Sequence, residues 1–415
     1  MKAIIIGAGI GGLTTALFLH KHGIECDIYE AAPAIQALGV GINLMPNAMA
    51  TFDEIGMLPA IETAGVAPDE LFYRTASGLT AWKEARGRKA GLAYPQVSIH
   101  RGRLQQLLYN AVVDRLSAEC VHTGLRFESH LEIAGGVSAT FVSATGDRET
   151  ASGDVLIGAD GINSTLRAAL YPDEGRPRWS GRLMWRGTAD WPSFGEGKHF
   201  VVAGTIDARL VLFPIAKGET PGTMLTNWVL VHRAAADGAG FVAQQGWDGR
   251  ANRERCLAML EPIDLPDLDI YALASATKDI WEYAMSDRAP LPRWSFGRVT
   301  LMGDAAHPMY PFGGNGAAQA ILDAKSLGAE LSNAHGDPAA SLQAYERERR
   351  EKAYAVVMIN REGGPERVID FVLSRLNSPN DAVEDVAPFE ERKAIVQGYS
   401  QIAGYSPEHL QMRAS

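Results

Sequence analysis

The stretch Met1-Lys2-Ala3-Ile4-Ile5-Ile6-Gly7-Ala8-Gly9-Ile10-Gly11-Gly12 decides the fold. Ala3 to Ile6 is a short apolar run without a turn residue, the pattern of a buried parallel strand. Gly7, Gly9 and Gly12 fall in the G-x-G-x-x-G spacing, and Leu13 to His22 follows with helical periodicity. Gly7 permits the tight strand-to-helix turn, Gly9 lets backbone approach a pyrophosphate, and Gly12 lets the helix pack against the strand. The free N–H groups and positive dipole end of the helix then face the phosphates. A second apolar run, Asp27-Ile28-Tyr29, ends in Glu30, about 20 residues after the glycines, where an acid bonds ribose hydroxyls. A signal peptide is the competing reading. Four glycines, polar Thr14 and Thr15 and the lack of a cleavage region argue against it.

The chain has 415 residues, enough for one large or two to three ordinary domains. Its net charge of −10 argues against nonspecific nucleic-acid binding. Cys26, Cys120 and Cys256 are scattered, with neither metal spacing nor a disulfide framework, which fits a reducing cytoplasm. The histidines do not cluster, so no metal is expected. No apolar run approaches transmembrane length, so no membrane partner is expected either.

Pro46 opens a helix expected to run through Met57, after a small-residue loop over Leu38 to Asn43. Glu70 to Tyr73 and Leu79 to Trp82 read as strands, Leu92 to Ile99 as extended chain and Arg101 to Leu116 as an amphipathic helix. Cys120 to His122, Leu125 to Ser129 and Val137 to Val142 suggest a meander. Val155 to Asp160 is another apolar strand, followed by a short helix from Ser164. After Tyr171 the texture changes to alternating aromatic-rich strands: Leu183 to Thr188, Phe200 to Ala203, Arg209 to Phe213 and Met224 to His232. Helices follow near Gly240 to Gln245 and Arg253 to Met259. From Val299 the first pattern returns, with a strand, a Gly-Asp turn and a helix from about Asn315 to Asn333. Asp337 onward is helical, and the charges of Arg347 to Lys352 read as a solvated face. The expected class is α/β (α+β overall). A Rossmann-like domain is discontinuous over 1–69, 100–170 and 288–345. A mixed-sheet substrate domain of 70–99 and 171–287 is inserted in it, and C-terminal helices occupy 346–415.

Two further motifs join the glycine turn: Asp160-Gly161-Ile162-Asn163-Ser164-Thr165-Leu166-Arg167, and Gly303-Asp304-Ala305-Ala306-His307-Pro308 leading into Met309-Tyr310-Pro311-Phe312-Gly313-Gly314-Asn315-Gly316. Alone, each could be a plain turn or helix cap. In this order the three resemble the fingerprints of the single-component FAD-dependent aromatic hydroxylases typified by p-hydroxybenzoate hydroxylase, over nearly the whole chain. Gly39 to Asn43, Ser98 to Gln105, Met184 to Gly187 and Asp287 to Pro292 look closer to salicylate- and phenazine-hydroxylating members. Met309 to Gly316 is most similar to members acting on 5-methylphenazine-1-carboxylate. Many salicylate-type relatives carry Gln where this chain has Asn315.

The resemblance implies FAD as cofactor and NADH or NADPH as cosubstrate. It also implies dioxygen and a small aromatic or heteroaromatic substrate, hydroxylated through a flavin hydroperoxide. The alternative is a non-oxygenating flavin reductase or oxidase on the same scaffold. The halogenase signature W-x-W-x-I-P is absent, and a NAD-dependent dehydrogenase would leave the Gly303-Asp304 motif unexplained. Gly7, Gly9, Gly12 and Glu30 should hold the adenosine half of FAD, and Arg101 and Gln105 its ribityl or pyrophosphate part. Asp304 should bond the ribityl chain, and Asp160 should serve FAD and, indirectly, NAD(P)H. Gly314, Asn315 and Gly316 should lie against the flavin ring, with the following helix directing its positive end at the pyrimidine edge. Trp185, Arg186, Leu212, Trp228, Tyr310 and Pro311 are the expected substrate walls. Tyr310 and His232 are the only candidates for a catalytic base, and His307 reads equally as a structural residue or a proton carrier. Oligomeric state is open between a monomer and a homodimer.

Overall fold

The computed structural model describes residues 1–36, 39–205, 207–237, 251–334, 336–378 and 381–411. The helix expected over Gly240 to Gln245 lies outside them. Lys2–Ile6 is central in a six-stranded sheet, parallel to Glu25–Glu30 on one side and Val155–Gly158 on the other. Val121–Thr123 and Val299–Leu301 extend the parallel part, and Ser295–Phe296 adds an antiparallel edge. The inner strands are covered on both faces, which is why they read as unbroken apolar runs. The glycine helix spans Ile10–Lys21 with Gly9 as its N-cap.

A seven-stranded mixed sheet draws on Glu70–Thr75, Thr80–Ala85, Arg178–Pro192, His199–Gly204, Ala208–Lys217, Thr223–Arg233 and Trp281–Asp287. Away from a few bulges its side chains alternate between two faces. Leu183, Trp185, Leu210, Leu212, Trp228 and Leu230 pack with Cys256 and Leu273 from the helices Arg253–Ala258 and Ile270–Ala276. Met184, Arg186, Val211, Phe213, Val229 and Val231 face the other way, toward the first sheet.

Several elements differ from expectation. The helix from Pro46 stops at Asp53, because Gly56 takes φ +66°, and a second helix runs Leu58–Ala64. The supposed loop before it ends in a strand, Gly41–Leu44, paired antiparallel with Val97–His100. Beyond the long helix Pro338–Arg361 the C-terminal region breaks into shorter helices, including Arg367–Leu373 and Phe389–Ile402. The charged run Arg347 to Lys352 is not wholly a solvated face. Arg349 is only 5 % exposed and turns inward.

Arg349 belongs to a buried network centred on Asp323, on the helix Gly316–Ser332. Asp323 Oδ1 accepts from Arg349 Nε at 2.8 Å. Asp323 Oδ2 accepts from the Gly303 N–H at 3.0 Å and shares a 2.6 Å hydrogen bond with His307 Nε2. Arg349 Nη2 also donates to Gln319 Oε1 at 2.7 Å. One carboxylate thus ties a strand end, a loop and two long helices together. His307 is an anchor in this network. Burial alone would raise the Asp323 carboxyl, but His307 and Arg349 outweigh it and hold it at about 2.

Breaking such a buried pair costs about 3–5 kcal/mol, so Asp323→Asn should lower thermal stability strongly at neutral pH. A depressed carboxyl contributes above its unfolded value of 3.8 and loses that contribution as pH falls through about 2. The difference in melting temperature between wild type and variant should therefore be full at neutral pH and narrow on acidification through this window. Calorimetry across that range measures it, and a gap independent of pH would contradict the assigned pairing.

Candidate FAD and substrate site

The three glycines of the first turn have distinct surroundings. A Cβ on Gly7 (φ +102°) would lie 2.6 Å from the Ala159 carbonyl oxygen, and one on Gly12 only 2.0 Å from that of Gly7. Both positions are closed by backbone. A Cβ on Gly9 would meet no protein atom within 4 Å, so this is the face left open to a ligand. Glu30 ends its strand and clamps the turn, with Oε2 accepting from the Ala8 N–H and Oε1 from the Ala32 N–H, each at 2.8 Å. Gln105 Nε2 donates to the Ala8 carbonyl at 2.8 Å, so it holds the same turn from the helix Arg101–Arg115.

A cavity of about 390 Å³ runs from this turn to the inner face of the seven-stranded sheet. Gly9, Arg101, Gly161, Asp304, Gly314 and Gly316 line it, as do Arg186, Tyr310 and Pro311. Asp304 is open to the void yet ringed by protein. Burial raises its carboxyl, against the opposing influence of His307 and Arg101. Asp160 has a local role: its Oδ2 accepts from the Thr165 N–H at 2.8 Å at the start of the helix Thr165–Leu170, where Ser164 Oγ accepts from the Arg167 N–H at 2.9 Å. Asp160 Oδ1 has no protein partner.

The loop before the helix Gly316–Ser332 is shaped from the C-terminal side. Tyr399 Oη donates to the Phe312 carbonyl and accepts from Asn315 Nδ2, both at 3.1 Å. A Cβ on Gly313 (φ +67°) would come within 2.3 Å of the Tyr399 ring, so only glycine fits beneath it. Asn360 Nδ2 donates to the Tyr310 carbonyl at 2.9 Å. Asn315 Oδ1 is buried and unpartnered. Sequence reasoning missed Asn360 and Tyr399, because helical periodicity marks them only as buried positions.

The substrate-wall expectation divides by strand parity. Arg186 lines the cavity, and its Nη2 donates to the Gly41 carbonyl at 2.7 Å while Nε has no partner. Burial lowers its guanidinium below the ordinary value. Trp185, Leu212 and Trp228 lie on the opposite face and do not reach the cavity. Trp185 Nε1 donates to Glu282 Oε2, and Trp228 Nε1 to Thr277 Oγ1, each at 2.7 Å. They are core residues of the outer layer. His232 shares that face, with its ring 6.3 Å from that of Trp185, so it is no base for a reaction in the cavity. Tyr310 is 3 % exposed and its hydroxyl has no partner. Burial raises its phenol further above the ordinary range, which keeps it protonated at neutral pH.

The open face at Gly9 and the cavity-lining carboxylate of Asp304 fit a flavin dinucleotide. The family described as FAD binding domain matches residues 1–360. Phenazine 1,6-dicarboxylic acid hydroxylase of Lysobacter antibioticus is 43% identical over 365 residues, 86% of this chain and 89% of that protein. The solved structure of Klebsiella pneumoniae HpxO with FAD and uric acid covers 98% of both chains at a TM-score of 0.76 and 26% identity. A salicylate hydroxylase substrate complex covers 99% of this chain and 97% of its own at a TM-score of 0.75 and 25% identity. With its glycine turn and its Gly303-Asp304 loop on one cavity, the chain belongs to the FAD-binding-domain family of flavoprotein aromatic hydroxylases.

Proposed function

We propose that this chain hydroxylates a planar aromatic acid of the phenazine-carboxylate or hydroxybenzoate class, with NAD(P)H as reductant and dioxygen as the source of oxygen. One observation carries the reading. The cavity of the dinucleotide turn continues onto an apolar sheet face that carries the Arg186 side chain, with Tyr310 lining the void from the neighbouring loop. Phe200 and Phe213 stack there with centroids 4.8 Å apart and planes within 8°, a surface suited to a flat ring. A guanidinium on the wall of a mostly apolar ligand cavity marks where a substrate carboxylate or carbonyl oxygen would sit.

Bound FAD supplies the hydride acceptor and the site of oxygen activation. The protein positions the ring, excludes water and supplies donors. Arg186 fixes an anionic or carbonyl group, and Tyr310 and Pro311 close the wall beside it. Gly313 to Gly316 let backbone N–H groups approach the cofactor at the start of a 17-residue helix, whose dipole favours negative charge there. One G-x-G-x-x-G turn serves FAD, so NAD(P)H docks transiently beside it, in keeping with a cytoplasmic enzyme. None of the described helices is long and apolar enough to cross a membrane.

Salicylate or phenazine-1-carboxylate should accelerate NAD(P)H oxidation by the FAD-loaded protein and gain one oxygen atom from labelled dioxygen. Oxidation of NAD(P)H with no label in any aromatic product would instead identify a reductase or oxidase. Asp304→Ala should weaken FAD retention roughly 10–100-fold, the loss of a charge-assisted hydrogen bond of about 1.5–3 kcal/mol, as read by flavin release on dilution. Arg186→Met should raise the Kd of an aromatic acid by about tenfold or more at unchanged FAD content. Trp228→Ala should do the reverse, lowering stability by about 3–5 kcal/mol and leaving probe affinity of the folded protein intact. Equal effects of these two variants on probe binding would refute the assignment of the sheet faces.

A further inference from the structure

Glu366 precedes the helix Arg367–Leu373 and borders the cofactor and substrate cavity. It also borders a second chamber of about 160 Å³, which Arg209, Arg361, Glu362 and Asp370 line. Phe312 and Val231 likewise line both voids, so the carboxyl group stands in the partition between them. The residue is 6 % exposed, and Oε2 has no hydrogen-bond partner. A carboxylate in such a place is ordinarily neutralised by a cation. Here the nearest, Arg209 Nε, is 3.9 Å away, too far for a hydrogen bond, and Arg209 Nη2 is engaged by Asp370 at 2.8 Å. The remaining neighbours are the Gly313 N–H, which donates to the carboxyl, and the phenols of Tyr73 and Tyr399, both kept protonated by burial.

We propose that Glu366 is the proton acceptor of the substrate cavity, and that the chamber behind it is the route by which the proton leaves for solvent. The proposal rests on the aromatic-hydroxylase reading of that cavity. In the step, a ring O–H, or the C–H of the carbon that has gained oxygen, breaks and leaves its electron pair on the substrate. A new O–H forms at the Glu366 carboxylate, whose side chain borders both voids. The proton then passes to water in the second chamber, and the carboxylate is restored. Neither His232, on the wrong sheet face, nor Tyr310, held protonated, can take this part. Burial, only partly offset by Arg209 and the Gly313 N–H and reinforced by Asp370, pushes the Glu366 carboxyl up to about 7, so it can gain and lose a proton near neutrality.

Two measurements on the FAD-loaded protein test this. The first is thermal. A carboxyl raised from 4.5 to about 7 makes the folded state bind more protons, so wild-type stability falls as pH rises through that window. Glu366→Gln lacks this penalty, and the melting temperature of the variant relative to wild type should climb between those pH values and level off above. A difference independent of pH would overturn the proposal. The second is kinetic, with salicylate and phenazine-1-carboxylate as probes. Wild-type kcat for hydroxylation should rise with pH through about 7, and Glu366→Gln should lose about 10²-fold together with the inflection, at unchanged FAD content. Glu366→Asp, which keeps a carboxyl, should retain the inflection at reduced kcat, and it serves as the test if the Gln variant does not fold. A Gln variant with wild-type kcat and pH profile sinks the proposal alone. A wild type that hydroxylates neither probe nor any other aromatic acid sinks the functional reading, and this proposal with it.

Discussion

The buried carboxylate of Asp323 is the interaction on which the rest of the site depends. It takes a backbone N–H from the end of the Val299–Leu301 strand, the His307 ring and the Arg349 guanidinium at once. A buried charge is costly unless fully paired, so the strand end, the loop and both helices must assume these positions together. Asp304 extends into the cavity from the loop held in this way, and the helix Gly316–Ser332 that carries Asp323 starts at the same cavity. The cofactor end of the site is therefore set by a network that does not touch the cofactor cavity at Asp323 itself.

The substrate end is set by different physics. Gly41 lies so close to the seven-stranded sheet that a Cβ would come within 2.8 Å of Ile215 and Asn227, and its N–H and carbonyl bond Asn227 and Arg186. The strand pair Gly41–Leu44 and Val97–His100 meets the seven-stranded sheet at this glycine, where there is no room for a side chain. The C-terminal helices then close the third side, with Asn360 and Tyr399 bonding the backbone of the loop from Tyr310 to Asn315.

Much of the cofactor end was legible in the sequence, because backbone requirements leave strong marks. Gly7 and Gly12 are glycine since backbone fills the place of a Cβ, and an apolar run before them reads as a strand without knowledge of its neighbours. The substrate walls were only half legible. Trp185 and Arg186 are adjacent in sequence and point to opposite faces, and composition favours the aromatic residue although the arginine is the one in the cavity. Alternation shows that two faces exist but not which of them looks at the cofactor. Arg349 and Glu366 were hidden for another reason. Charged residues on helices are usually solvated, and their burial depends on partners far away in the chain, at Asp323 and at Gly313.

The alternation of the large sheet separates two kinds of selection along the same strands. Alternate positions such as Trp185 and Arg186 answer to different demands, packing in the outer layer for one and a place on the cavity wall for the other. A change on the cavity side removes no contact from the outer hydrophobic layer, although Val229 and Val231 pack there with Tyr310 and Phe312 in a cluster of their own. The outer layer therefore holds the sheet's shape independently of which side chains line the cavity.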